Sequence, residues 1–247
     1  DVGAPVELTE KFGLPPEIHH NWKYVDFGPD GKLYVQVGSN CNICETNPGI
    51  HGQIRRYNAD GSGMEVIATG VRNTQGFDFH PKTGELWFTD HGRDWLGEDM
   101  PNDTLHRVSK KGVHFGYPYC HQGDFVDPEL GMGRSCAEFT PPALKLGPHI
   151  APLGLRFYTG SMFPDEYKGN IFVAMHGSWN RSKKSGYRVV RAVIDGAKVR
   201  TEVFAEGWLQ DERVSGRPVD VQPLADGSLL VSDDLAGAIY RISYTGK

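Results

Sequence analysis

Residues 176–181 read His-Gly-Ser-Trp-Asn-Arg and follow an apolar run, Asn170 to Met175. An imidazole, an indole, an amide and a guanidinium within six residues are costly to bury, so this loop is expected to face a ligand rather than fill a core. Three clusters of similar chemistry lie elsewhere: His19-His20-Asn21-Trp22, Arg72-Asn73, and His91-Gly92-Arg93-Asp94. Histidine supplies a base that works near neutral pH, and arginine with an amide suits the carboxylates of an anionic ligand. Together the clusters predict one polar site, rich in Arg and His, assembled at the same end of several β-sheets.

The elements that must hold these loops repeat. Phe27-Gly-Pro-Asp-Gly-Lys-Leu-Tyr-Val35 reads as strand, tight turn, strand, and Phe79-His-Pro-Lys-Thr-Gly-Glu-Leu-Trp-Phe88 repeats it. The segment from Phe163 to Val173 reads as a longer version, and that from Gln222 to Val231 as a fourth. Glycine at each turn permits positive φ, and apolar alternation follows. Further strands are predicted over residues 53–57, 104–108, 188–194 and 238–244. Four units of about four short strands predict β-propeller blades, with a two-sheet sandwich as the alternative. Helical periodicity is nearly absent. Two long loops, residues 91–103 and 117–150, interrupt the pattern, and loops of such length are usually functional.

The chain has 247 residues, is 38% hydrophobic and carries a net charge of −5. That supports a sizeable core and argues against nucleic acid or an anionic membrane as a partner. No stretch approaches the roughly 20 apolar residues of a membrane-spanning helix. Asp1 opens without a Met, a basic region or an apolar region, which predicts a mature or trimmed chain. Of the four cysteines, Cys41 and Cys44 have zinc-knuckle or redox spacing, but Cys120 and Cys136 provide no second close pair. An even count in a turn-rich chain favours disulfides Cys41–Cys44 and Cys120–Cys136 over a zinc site or free thiols, and with them a periplasmic or secreted protein.

Eight motifs in sequence order give the chain a resemblance. They are His19-His20-Asn21-Trp22-Lys23-Tyr24, Gly38-Ser-Asn-Cys-Asn-Ile-Cys44, Gly70-Val-Arg-Asn-Thr-Gln-Gly76, Arg93-Asp-Trp-Leu-Gly97, Ala151-Pro-Leu-Gly154, His176-Gly-Ser-Trp-Asn-Arg181, Gly216-Arg-Pro218 and Ser232-Asp-Asp234. With these the chain resembles the pyrroloquinoline quinone (PQQ) dependent soluble sugar dehydrogenases, and among them the L-sorbosone dehydrogenase group. The resemblance implies a six-bladed all-β propeller, of which residues 1–247 would form about four blades of one domain lacking the N-terminal blades.

It also implies PQQ and Ca2+ as cofactors, and oxidation of a sugar aldehyde or aldose to an acid or lactone. His20 would be the base, and Arg72 and Asn73 would contact the quinone oxygens. Backbone carbonyls of Gly92 and Arg93 would hold calcium, with Asp94 and Asp103 supplying charge behind them. His176, Trp179, Asn180, Arg181 and Arg217 would hold the cofactor, and Asp233-Asp234 would orient Arg217 or cap a turn. Without a Cys-x-x-Cys-His sequence the chain implies an external electron acceptor, a cytochrome or quinone. The rival readings are a calcium-dependent lactonase-type propeller hydrolase and a non-catalytic, truncated propeller that only binds.

Overall fold

The computed structural model describes residues 3–246. Strands β1 (Val25–Phe27), β2 (Leu33–Val37), β3 (Gln53–Tyr57) and β4 (Glu65–Thr69) form an antiparallel meander, the first sheet. The β1–β2 turn closes with Gly31 at φ 71°, a left-handed conformation that a side chain would resist. Next come β5 (Phe77–Phe79), β6 (Leu86–Asp90) and β7 (Asn102–Arg107). β8 (Val113–His114) then adds to the first sheet in parallel with β4, and β9 (Cys120–His121) and β10 (Phe125–Val126) make a small hairpin. β11 (Leu144–Pro148) returns to pair with β7, so the second sheet runs β11-β7-β6-β5.

β12 (Pro152–Phe157), β13 (Ile171–Met175), β14 (Arg188–Asp195) and β15 (Lys198–Ala205) are the third sheet. A hairpin of β16 (Leu209–Gln210) and β17 (Arg213–Val214) leads to the fourth, β18 (Pro218–Pro223), β19 (Leu229–Asp233) and β20 (Ala238–Ile242).

The four meanders stack face to face. The first core lies between the first two sheets, with Ile54, Phe77 and Phe88 fully enclosed. The second lies between the next pair, around Leu105, Leu155, Ile171 and Val173. The third, around Phe172, Ala174, Val189, Val221 and Leu229, joins the third and fourth sheets. β13 shows why: Ile171, Val173 and Met175 enter one core, and Phe172 and Ala174 enter the other, so the whole strand is buried. Three cores between four sheets exclude the two-sheet sandwich and give the successive blades of a β-propeller.

The first strands of neighbouring sheets approach closely. A Cβ on Gly154 would lie 1.9 Å from Asp220 Oδ1, and one on Gly76 would lie 2.3 Å from the Leu153 carbonyl oxygen. Across the same seam Thr89 Oγ1 donates to the Leu153 carbonyl at 3.0 Å, and the Phe157 N–H donates to Asp78 Oδ2 at 2.7 Å.

Three of the four predicted hairpins match the strands. The third does not: Phe163 lies in no strand, and a 3-10 turn at Asp165–Tyr167 sits between β12 and β13. Both expected disulfides are present, Cys41–Cys44 and Cys120–Cys136. No helix among the described residues is long and apolar enough to cross a membrane.

Candidate active site

The site clusters meet because the chain passes the same end of each sheet twice. β4, β6, β13 and β19 finish there, delivering Arg72, the His91–Asp94 loop, the His176–Asn180 loop and Asp234. β1, β5, β12 and β18 start there, just after Lys23, Gln75, Ala151 and Arg217. Two cavities result. One of about 180 Å³ is lined by His20, Arg72, Asn73, Gly92, Asp94, Asp103, His149 and Asn180. The other, of about 560 Å³, is lined by Trp22, Lys23, Tyr24, Gln75, His176, Arg217, Asp220 and Asp234. His91, Ala151 and Trp179 line both, so the two are neighbours in one polar recess.

Hydrogen bonds fix the tautomers of the imidazoles. His20 Nδ1 is 2.8 Å from the Ser39 carbonyl oxygen, and Ser39 Oγ gives its proton to the Cys41 carbonyl at 2.7 Å. Nδ1 therefore donates, and Nε2 keeps a bare lone pair. Burial, with the Arg72 cation and His19 adding, pushes His20 down to about 2, so the ring is neutral at physiological pH. His91 donates from Nε2 to the Pro152 carbonyl at 3.0 Å and accepts at Nδ1 from Asn73 at 3.3 Å; burial first, and Arg72, push it down to about 4. His149 donates from Nε2 to the Gly97 carbonyl at 2.8 Å, leaving Nδ1 to accept from Asn180 at 3.3 Å.

Arg72 is buried and held from three directions. Its Nε donates to the Asn42 carbonyl at 2.9 Å, and Nη2 donates to Asn42 Oδ1 at 2.8 Å and Asp94 Oδ2 at 3.1 Å. Asn42 belongs to the loop closed by Cys41–Cys44, and its Oδ1 also receives the Asp94 N–H at 2.8 Å. Beneath, Asp90 accepts the N–H groups of Arg72 and Asn73, and burial raises it to about 6. Asp103 accepts the N–H groups of Gly92 at 2.8 Å and Ala151 at 2.9 Å, and burial raises it to about 7. These buried carboxylates are anchors for loop backbone.

Arg217 is held differently. Its guanidinium bonds carbonyl oxygens, His176 at 3.1 Å and Gly177 at 2.5 Å, while Asp233 takes its backbone N–H at 2.9 Å. Asp234 pairs with His176 Nε2 at 2.9 Å instead. Asn180 gives Nδ2 to Asp94 at 2.9 Å, and its buried Oδ1 has no partner among the described residues.

Of the residues singled out in the sequence, His20, Arg72, Asn73, Gly92, His176, Trp179, Asn180 and Arg217 line the recess. Arg93 and Arg181 do not. Arg93 reaches Asp127 at 2.8 Å and Glu129 at 2.6 Å. Arg181 binds the Glu98 carbonyl and Asp99. Sequence reasoning passed over Asn42, Asp90 and His149. The first lies inside a quoted motif, whereas His149 stands in a loop with no spacing to mark it.

A family model for glucose/sorbosone dehydrogenases matches residues 15–241. The chain belongs to that family. An uncharacterized protein of Borreliella burgdorferi is 38% identical over 245 residues, which take in 94% of this chain and 64% of that protein. The chain thus spans just under two thirds of that relative's length. A PQQ-dependent pyranose dehydrogenase of Coprinopsis cinerea is 33% identical over 171 residues, 53% of this chain and 23% of that protein. Among solved structures, the holo PQQ domain of the Coprinopsis pyranose dehydrogenase superposes with a TM-score of 0.74 at 23% identity, covering 92% of this chain and 71% of that one. The apo soluble aldose sugar dehydrogenase of Escherichia coli gives 0.68 at 21% identity, covering 94% and 67%. These likenesses agree with the propeller fold.

The donors in the recess fit an anionic, planar cofactor. Arg217 has no ion pair among the described residues and is offset by two carbonyl oxygens and the Tyr187 ring, 5.5 Å from its Cζ, and Lys23 lines the same cavity. Among the described residues no three His, Cys, Asp or Glu side chains converge as a metal site. Of the two residues expected to hold calcium through their backbone carbonyls, Gly92 lines the smaller cavity and Arg93 does not.

Proposed function

We propose that the family recess of this chain binds PQQ with calcium and oxidises a sugar aldehyde or aldose to the acid or lactone. The observation that carries this reading is the neutral His20, whose Nδ1–H is tied to the Ser39 carbonyl and whose Nε2 lone pair has no partner among the described residues beside the Arg72–Asn73 cavity. His20 takes the proton of the substrate hydroxyl at Nε2. PQQ, when bound, supplies the acceptor for the hydride. Arg72, with Asn73 beside it, would face the quinone oxygens and favour negative charge there. Arg217, Asn180, His176 and Trp179 hold the cofactor, and Arg181 acts through the loop it ties down. The two disulfides support an oxidising compartment, periplasmic or secreted, and electrons leave to an external cytochrome or quinone.

The substrate group closest to our reading is that of the sorbosone dehydrogenases. The outward faces of the first and fourth sheets keep Val25, Phe27 and Ile239 exposed, which supports further blades completing a six-bladed ring in the whole protein. A lactonase-type hydrolase would need several carboxylates or amides converging on one ion, and the Arg- and His-rich recess favours the quinone reading instead.

Replacing the base tests the proposal. His20→Ala should lower turnover roughly 10²- to 10⁴-fold and leave PQQ affinity unchanged. Undiminished turnover would remove His20 as the base.

A further inference from the structure

Trp179, which lines both cavities, packs against a second indole outside them, Trp95. Trp95 is 73% exposed and Trp179 63%, and they meet edge to face with ring centroids 5.5 Å apart. Trp95 also has φ 66°, a left-handed backbone that a bulky side chain adopts only under compulsion. The compulsion is visible. Asp94 is held by Asn42 and Asn180, and the Gly97 carbonyl by His149. The Glu98 carboxylate receives the Ser182 N–H at 3.0 Å and its hydroxyl at 2.8 Å, and Arg181 takes Asp99 at 3.1 Å. The loops after β6 and β13 are thus strapped together around a pair of solvent-facing rings.

Missing blades do not explain the exposure. Trp95 and Trp179 sit on the two middle sheets, each already covered on both faces, unlike Trp22 beside the open edge of the first sheet. Trp179 is at once a wall of both cavities and half of the outer pair, so the indoles continue the recess outward.

We propose that the Trp95–Trp179 pair is a sugar-stacking subsite at the mouth of the recess, which holds the second ring of an oligosaccharide whose terminal unit enters the cavity. The apolar face of a pyranose matches an indole. Two indoles fall far short of the roughly 800 Å² per partner of a stable protein interface, but match a ring or two of sugar. This subsite deepens the sugar-oxidising reading and rests on it for the identity of the inner ligand.

Binding needs no turnover, so the test separates the two. Cellotriose, maltotriose and glucose are titrated into the PQQ- and calcium-treated chain while tryptophan fluorescence and heat are recorded, and quinone reduction is followed separately. We expect at least one trisaccharide to bind about fivefold or more tighter than glucose, with quenching. Trp95→Ala should abolish that preference, and Trp95→Tyr should keep most of it. Equal affinity for glucose and both trisaccharides, or a preference untouched by Trp95→Ala, overturns the subsite. Trisaccharide binding without quinone reduction would keep the subsite and sink the dehydrogenase reading.

Discussion

Arg72 and Arg217 line neighbouring cavities, yet their surroundings differ in kind. Arg72 is buried, paired with Asp94, and gripped by Asn42 from a disulfide-closed loop. Arg217 is half-buried and rests on two carbonyl oxygens. The first arrangement fixes a guanidinium's position and gives its charge a carboxylate partner; the second leaves the charge without an ion pair among the described residues. The difference separates two tasks that an anionic redox cofactor sets its protein. One end of the recess must place a donor and a base accurately against a reacting atom, and the other must attract and retain carboxylates.

The sharpest test of the burial beneath Arg72 is the titration of His106. His106 shares a void of about 20 Å³ with Arg72 and Asp90, and burial pushes it down to about 3. The unfolded chain takes up this proton near pH 6.5 and the folded chain only near 3. The neutral ring's contribution is therefore full above pH 6.5 and is lost as pH falls towards 3. By pH 4.5 the loss is about 3 kcal/mol. Asp90 and Asp103, raised to about 6 and 7, work in the opposite sense: their contribution is full below the ordinary carboxylate range and falls as pH rises through those values. The difference between wild type and His106→Gln isolates the imidazole. Denaturant melts from pH 7 to 4.5 should show the variant losing about 3 kcal/mol less than wild type, and parallel curves would contradict the burial argument.

On the other side, Arg217→Ala should weaken PQQ binding roughly 30-fold, the value of a charge-assisted bond to carboxylate. An unaltered dissociation constant in a fluorescence titration would remove Arg217 from the site. Between these in character stands Asn42→Ala, which removes an acceptor for Arg72 and for the Asp94 N–H. It should cost about tenfold in PQQ affinity or turnover, and Asn42→Asp should restore part of that. Equal behaviour of the two variants would mean that the loop does not position Arg72. The smallest effect is expected from Asp94→Asn. Lifting the partner charge from Arg72 should tighten PQQ binding a fewfold while lowering the melting temperature; weaker binding would show that placement outweighs charge at this end as well.

Much of this was legible in the sequence, for identifiable reasons. Tight turns with Gly31, Gly84 and Gly227 declare hairpins because the left-handed backbone they require is local. Segment 163–173 misled, since its Phe-Pro-Asp opening resembles a strand entering a turn, whereas Phe163 packs in the third core and Pro164 starts a 3-10 turn. β11 was hidden inside a loop rich in Gly and Pro, and only its pairing with β7 makes it a strand. The polar clusters announced the site by composition. What composition could not disclose is which groups already have partners: Arg93 and Arg181 look like equals of Arg217, yet one reaches Asp127 and Glu129 and the other straps Glu98 and Asp99. Pairing across 34 to 83 residues of sequence is a property of the folded chain.

The most direct measurement of the account is a titration of the chain with PQQ in the presence of calcium, followed by a panel of aldoses and aldehydes while the quinone absorption is watched. The account predicts saturable binding that Arg217→Ala weakens, then reduction that depends on substrate and is lost in His20→Ala. Absence of binding would contradict the account at the cofactor site itself, and binding with no reduction by any member of the panel would contradict the chemistry and leave the recess as a binding site alone.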